Sequence, residues 1–376
     1  MNNKFDELTK SLAQSVTRRA PLNRFGGGLA ALSIALVLFS GPATADQNHK
    51  RLATLMTYNI YQGTELEHVL AATDLSSFVA GVTTDYANVI ATSFPERAQA
   101  IAAEIAQNAP DLVALQEVAL WRTRVPSAPS LPATDVAYDF LGILLDALNA
   151  AGQHYQAVTV RNNFDTQGTG FSGTGFFDVR LTDRTAILAR TDLSDADLQI
   201  SNPQQQDFQL NAAFDLLGRH IVVLGGWTSV DAKIRGKSFR FVTTHLDPLS
   251  PLVRTEQAYE LLQGPAVTAL PVVMAGDFNA LPSEPPYLAI VGAGFEDSWA
   301  AAHPFDQGYT CCQVPPDSIV NPVSALSTRV DYVFARGGFA VTDEHLIGDS
   351  PADRTPSGLW PTDHAGIVIT LEYPDK

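Results

Sequence analysis

Six times along this chain an apolar run breaks off at a residue able to hold a metal ion, a proton or a phosphate oxygen. Asn59 ends Leu55-Met56-Thr57-Tyr58, Glu117 ends Leu112-Val113-Ala114-Leu115-Gln116, and His245 ends Phe241-Val242-Thr243-Thr244. Asp277 and Asn279 close Val272-Val273-Met274-Ala275-Gly276, Asp331 lies in Arg329-Val330-Asp331-Tyr332, and Asp363-His364 precedes Ile367-Leu371. Near-continuous apolar runs mark strands covered on both faces, so the chain must fold in layers. A polar residue at the end of such a strand is held rigidly and still exposed. Each residue alone reads as a turn or cap residue; the set reads as a site.

The strand candidates are Thr54-Asn59, Leu112-Gln116, Gln156-Val160, Thr185-Ala189, Ile221-Leu224, Phe239-Thr244, Val272-Ala275, Val330-Phe334 and Ile367-Leu371. Between them, Glu96-Asn108 sets Ala98, Ile101, Ala102, Ile105 and Ala109 at helical spacing before Pro110. Ala137-Ala150, closed by Gly152, and Arg254-Gln263, before Gly264-Pro265, predict two more helices. This order fits two sheets packed face to face with helices outside. Tyr61 to Pro95 and Thr191 to Ala212 exceed ordinary connection lengths. The first follows a site strand and reads as a lid, a substrate wall or a surface excursion; its Phe78, Val79, Val82, Tyr86, Val89, Ile90 and Phe94 are mixed with Thr and Asp and read as core packing rather than a lipid-facing surface. Gly168 to Gly175 reads as a flexible loop.

The 376 residues are 45% hydrophobic and carry a formal net charge of -16, which repels polyanions at long range. The first 45 residues run the other way, with five basic side chains against two acidic ones. There Thr17-Arg18-Arg19 precedes an apolar, Gly- and Ala-rich run from Phe25 to Ser40 and then Ala43-Thr44-Ala45. That is the grammar of an export signal of twin-arginine type, and the run is shorter than the roughly 20 residues that span a bilayer. The expectation is therefore an export signal over 1–45, a single catalytic domain over 46–376, a periplasmic or extracellular bacterial location, no stable membrane anchor, and a monomer. Cys311 and Cys312 are adjacent, so they can form only a vicinal disulfide with each other and are too few for a structural zinc site.

The six strand ends together present oxygen ligands and two histidines, a set suited to a hard cation such as Mg²⁺ or Mn²⁺ and to phosphoryl chemistry. In order, Thr57-Tyr58-Asn59-Ile60, Leu115-Gln116-Glu117-Val118, Thr244-His245-Leu246, Gly276-Asp277-Phe278-Asn279, Arg329-Val330-Asp331-Tyr332 and Thr362-Asp363-His364 resemble the blocks of the endonuclease/exonuclease/phosphatase superfamily, from about Thr54 to Leu371. The resemblance implies an α+β fold, a four-layer α/β/β/α sandwich of two mostly antiparallel sheets flanked by helices. It implies a metal held by Glu117 with Asn59 and Asp363. Asp277 and Asn279 would hold the attacking water and a phosphate oxygen. His364, oriented by Asp331, would take the water's proton or stabilise the developing charge, and His245 would bind phosphate or protonate the leaving group. Arg122 and Arg184 resemble phosphate-site arginines of nuclease members.

Asp297 to Ser327, with Trp299, Tyr309 and the cysteine pair, should form loops over the catalytic face, Trp299 and Tyr309 contacting substrate. The substrate expected is a phosphoester, a nucleic acid slightly ahead of a lipid or small molecule. A catalytically inactive binding module is disfavoured because every expected residue type is present. Gly170-Phe171-Ser172-Gly173-Thr174 and Gly236-Lys237-Ser238 miss the serine-hydrolase elbow and the P-loop, respectively.

Overall fold

Alternation inside the apolar runs explains the layering seen in the computed structural model, which describes residues 52–314 and 319–373. The expected export signal at 1–45 lies outside the described residues. In β1 (Leu52–Asn59), Ala53 and Leu55 enter one core while Met56 and Tyr58 enter another. In β2 (Leu112–Gln116), Leu112 and Ala114 take the first core, Val113 and Leu115 the second. Side chains of successive strand residues point to opposite faces, so a run buried on both faces has no polar side to show.

Before β2 come α1 (Glu67–Leu70), α2 (Leu75–Ala91) and α3 (Phe94–Asn108). The stretch expected as a long connection is thus largely helical. Asp74 accepts from the Ser77 backbone N–H and the Ser77 hydroxyl closes a capping box, which starts α2. Then follow β3 (Leu120–Arg124), β4 (Asp135–Asp139), α4 (Phe140–Ala150), β5 (Tyr155–Ser172) and β6 (Gly175–Arg190). The expected helix over 137–150 loses its first three residues to β4. The glycine-rich stretch 168–175 is the tip of the long β5–β6 hairpin, Ser172 opposite Gly175, and not a free loop.

The second half holds β7 (Leu198–Asp207), β8 (Ala212–Leu216), β9 (Arg219–Val223), β10 (Gly226–Ile234), β11 (Lys237–His245), α5 (Pro251–Gln263), β12 (Val272–Asp277) and α6 (Pro285–Gly292). After them come β13 (Glu296–Asp297), α7 (Ser298–Ala302), β14 (Asp331–Arg336), β15 (Ala340–Ile347) and β16 (Gly366–Glu372). The stretch from Thr191 to Ala212 contains β7. This polar strand pairs only with β10, and its register slips at Asn202-Pro203, where an edge bulge accommodates proline.

One sheet has the order β15-β16-β1-β2-β6-β3-β4 with β5 paired to β6; the other runs β13-β14-β12-β11-β10-β7. Ala53, Leu55, Leu112 and Ile187 of the first meet Val230, Phe241, Val273 and Val333 of the second. Helices α2, α3 and α4 cover the outer face of the first sheet, and α5 and α6 that of the second. The result is the expected four-layer α/β/β/α sandwich. The β8–β9 hairpin, whose Ile221 was expected in a main sheet, joins neither. Among the described residues no helix is long and apolar enough to cross a membrane.

Candidate active site

Among the described strands, two adjacent pairs are parallel, β1/β2 in one sheet and β11/β12 in the other. Parallel pairing places the C-terminal ends of both partners at the same edge, so Asn59 stands beside Gln116, with Glu117 next, and His245 beside Asp277. Antiparallel β14 then sets Asp331 opposite Asp277. Register therefore gathers two blocks at the edge of one sheet and three at the edge of the other, and the sixth enters just before β16, the neighbour of β1.

The two sheets meet at Asn59, which is fully buried. Its amide NH₂ donates to Glu117 Oε1 (3.0 Å) and to Asp277 Oδ2 (3.1 Å), while its oxygen accepts the Tyr61 N–H (3.0 Å). The Tyr61 N–H can only donate, which orients the amide. Asn59 thus bridges two carboxylates as a donor, a positioning role beside the metal-ligand role expected of it. Glu117 Oε2 accepts the Gln62 N–H at 2.8 Å. Glu117 (φ 56°), Asn279 (φ 48°) and Tyr61 (φ 53°) all have left-handed backbone, each just past a strand end. Such conformations are costly for residues with a Cβ and concentrate at functional sites.

Asp331 Oδ2 and His364 Nδ1 are 2.8 Å apart, and His364 Nε2 faces Asp277 Oδ2 at 4.0 Å. His245 Nε2 lies 3.5 Å from the same Asp277 oxygen. Burial lowers the affinity of His364 for a proton, but Asp331, Asp363 and Asp277 outweigh it and hold its pKa well above the ordinary value. His245 is raised in the same way, burial being overcome by Asp277, Glu117 and Asp183. Asp277 Oδ1 accepts the Asn279 N–H (2.8 Å), and the Asn279 amide donates to the Leu246 carbonyl (3.0 Å). Asp363 is buried; burial and the Glu117 charge raise its pKa.

Sequence reasoning missed three contributors. Arg97 of α3 is fully buried and donates to the carbonyls of Ile60, Tyr61, Thr92 and Pro361, clamping the backbone on both sides of the site. Thr362 donates to the Asn59 carbonyl at 2.7 Å. Asp183, held by the Asn163 amide at 2.8 Å, has its pKa pushed up to about 6 by burial and by Glu117. A helix-pattern arginine carries no sequence signal of its partners; Asp183 did carry one, sitting just before a predicted strand.

The two expected phosphate arginines are taken up internally. Arg184 is buried, donating to the Val118 and Ala119 carbonyls and pairing with Asp139 at 2.5 Å. Arg122 bonds Thr182 and Asp165. Both hold groups inside the fold, Arg184 bracing the turn that carries Glu117. Trp299, expected to contact substrate, is buried, lies tilted against His303, and gives its indole N–H to the Asp306 carbonyl. Tyr309 is 44% exposed and remains available to a ligand. Cys311 and Cys312 are joined as a vicinal disulfide; Cys311 bridges to Thr328 and His364, and Cys312 Sγ lies 3.8 Å from His364 Nε2. Part of the 297–327 segment therefore does sit on the site; its residues 315–318 lie outside the described ones.

Carboxylates drawn from two sheets, an amide bridging them and an imidazole–carboxylate pair define the class of hydrolase that works on anionic esters. The chain belongs to the endonuclease/exonuclease/phosphatase family, whose model matches residues 56–364. Enzymes of this family hydrolyse phosphoester bonds and typically depend on a divalent metal. The chain is similar in fold to an endonuclease/exonuclease/phosphatase family protein from Bacteroides thetaiotaomicron, at 18% identity and a TM-score of 0.54, covering 86% of this chain and 98% of that one. It is similar to the mannosyl-6-phosphatase of the same organism at 18% identity and a TM-score of 0.51, covering 85% and 100%. D. rerio TDP2 complexed with single-strand DNA product is 17% identical with a TM-score of 0.50, covering 85% and 99%. No curated protein sequence matches it significantly.

A hard cation fits the donor set: Asn59 holds the Glu117 and Asp277 carboxylates side by side, and the buried Asp331 Oδ1 has no hydrogen-bond partner among the described residues. Ligand atoms of Asp277, Asp331 and His364 also lie within 4.8 Å of one another. In that second group one Asp331 oxygen is already engaged by His364, so it reads better as a proton-transfer pair facing Asp277.

Proposed function

We propose that this chain is an exported phosphodiesterase that attacks its substrate with an activated water, using Mg²⁺ or Mn²⁺. The observation that carries this reading is the joining of Glu117 and Asp277 by the single Asn59 amide beside the Asp331–His364 pair. Glu117 and Asp363 would hold the cation, which supplies neutralisation of phosphate charge. Asp277 and Asn279 orient the water for in-line approach, a step worth a large part of the barrier when the geometry is held. Neutral His364, oriented through Nδ1 by Asp331, takes the attacking water's proton at Nε2 and holds it as the imidazolium that its raised pKa favours, which suits a developing negative charge. His245, raised as well, donates to the leaving oxygen. Export rests on the arginine pair and the apolar run before Ala43-Thr44-Ala45.

The test is an assay of the chain from Asp46 onward against DNA, RNA, a sphingomyelin-like lipid and phosphomonoesters, before and after EDTA and dialysis. Chelation should abolish turnover and Mg²⁺ or Mn²⁺ should restore it. Full activity in the dialysed, chelated enzyme would remove the cation from the mechanism.

A further inference from the structure

Beside the site, between α1–α2, the outer face of β3, β5 and β6, and the β8–β9 hairpin, lies a cavity of about 420 Å³. Interior voids of folded proteins seldom exceed a water molecule, whereas ligand cavities run from roughly 300 to 1,000 Å³. Phe78, Val82 and Tyr86 form one wall, Trp121 and Leu181 the floor, and Phe214 with Ile221 the opposite wall. Asp85 and Arg219 are the charged residues among its lining. The hydrophobic residues from Phe78 to Phe94, read from sequence as core packing, are therefore divided: Val89 and Phe94 belong to the core alone, Phe78, Val82 and Tyr86 pack in the core and also face this space, and Val79 faces the space.

Two features tie it to the site. It adjoins the catalytic edge without being lined by the catalytic residues themselves: the Trp121 indole N–H donates to the Gln62 carbonyl at 2.9 Å, and the Gln62 N–H donates to Glu117 at 2.8 Å. Two hydrogen bonds thus link its floor to the carboxylate proposed to hold the cation. The second feature is the β8–β9 hairpin, a ribbon paired with neither sheet that turns Phe214, Leu216 and Ile221 toward the cavity and Asp215 and His220 outward. A lone two-stranded hairpin is marginal in water without an apolar face to pack on. Leu70, Leu75 and Leu217, 42%, 73% and 42% exposed, continue the apolar lining to the surface.

We propose that the cavity receives the hydrocarbon chain of an amphiphilic phosphodiester while its phosphate lies at the Glu117–Asp277 edge. The proposal rests on the phosphodiesterase reading and specifies its substrate. A nucleic acid is the poorer match: these walls offer one arginine, and Arg122 and Arg184 are engaged inside the fold.

The test uses p-nitrophenyl alkyl phosphodiesters with methyl, octyl and dodecyl chains below their micelle concentrations. In parallel, dodecylphosphocholine binding is read from tryptophan fluorescence in EDTA, where turnover is off. kcat/KM should rise by roughly threefold per methylene until the cavity is full. Dodecylphosphocholine should change the fluorescence, and Ile221→Glu, on the separate hairpin, should collapse both the dodecyl-to-methyl ratio and the fluorescence change. Equal kcat/KM across chain lengths, or a DNA oligonucleotide outcompeting every alkyl substrate, overturns the proposal. Chain binding in EDTA with no hydrolysis of any ester, metal restored, overturns the phosphodiesterase reading and the substrate assignment with it, and leaves only a hydrocarbon-binding cavity.

Discussion

At the scale of single residues, the site depends on which group holds which. His364 is fixed through Nδ1 by Asp331, leaving Nε2 toward Asp277. His364→Ala should therefore lower kcat on the order of 10²- to 10⁴-fold with little change in KM; steady-state kinetics with a near-normal kcat would rule out the proton-transfer role. The residue types at these positions were legible in the sequence because each terminates an apolar run. What each side chain does was less so. Asn59 was readable as a site residue, yet only the Tyr61 N–H orients its amide to donate to two carboxylates. Arg122 and Arg184 were readable as arginines near phosphate, and the neighbours that occupy them, Asp165, Asp139 and two backbone carbonyls, come from elements not adjacent in sequence.

At the scale of elements, the controlling feature is the approach of β12 to β11. A Cβ on Gly276 would stand 2.2 Å from the Thr244 carbonyl oxygen, so the glycine in Gly276-Asp277-Phe278-Asn279 serves close strand contact, with no turn at that position. Gly276→Ala should push the pair apart, destabilise the fold by about 1–3 kcal/mol, and lower kcat, because His245 and Asp277 are the next register pair. Denaturation midpoints and turnover measured together check this; if neither changes, the contact is slack. The apolar strands β1, β2, β11, β12 and β16 were predicted nearly to their ends, whereas β5 and β6 were read only over Gln156-Val160 and Thr185-Ala189. The polar edge strand β7 and β8 were not predicted, since an edge or unattached strand needs little burial and leaves a weak apolar signal; β9 was read as Ile221-Leu224, and buried β10, with Thr228, Ser229 and Asp231 in its run, was missed.

At the scale of the whole molecule, buried acids couple stability to pH. Glu344, bonded by the Ser298 hydroxyl at 2.7 Å, and Glu104, beside Tyr58, are both pushed up to about 8, chiefly by burial. In the unfolded chain a glutamate titrates near 4.3. Between about pH 4.3 and 8 the folded state binds more protons than the unfolded state, so stability from these groups is full below that window and declines as pH rises through it. Glu344→Gln should flatten the decline, as urea midpoints from pH 5 to 8 would show; an identical slope would mean that Glu344 is charged in the fold. The sequence by itself determined the layered architecture and the reaction class, because double-sided burial and strand-end polarity are written in local order. Tertiary structure alone decided which side chains meet: parallel pairing of β1/β2 and of β11/β12 gathered strand ends at one edge of each sheet, and face-to-face packing joined the two edges at Asn59. Packing of α1–α2 against a free hairpin left a cavity beside it, and neither outcome is encoded in the spacing of residues along the chain.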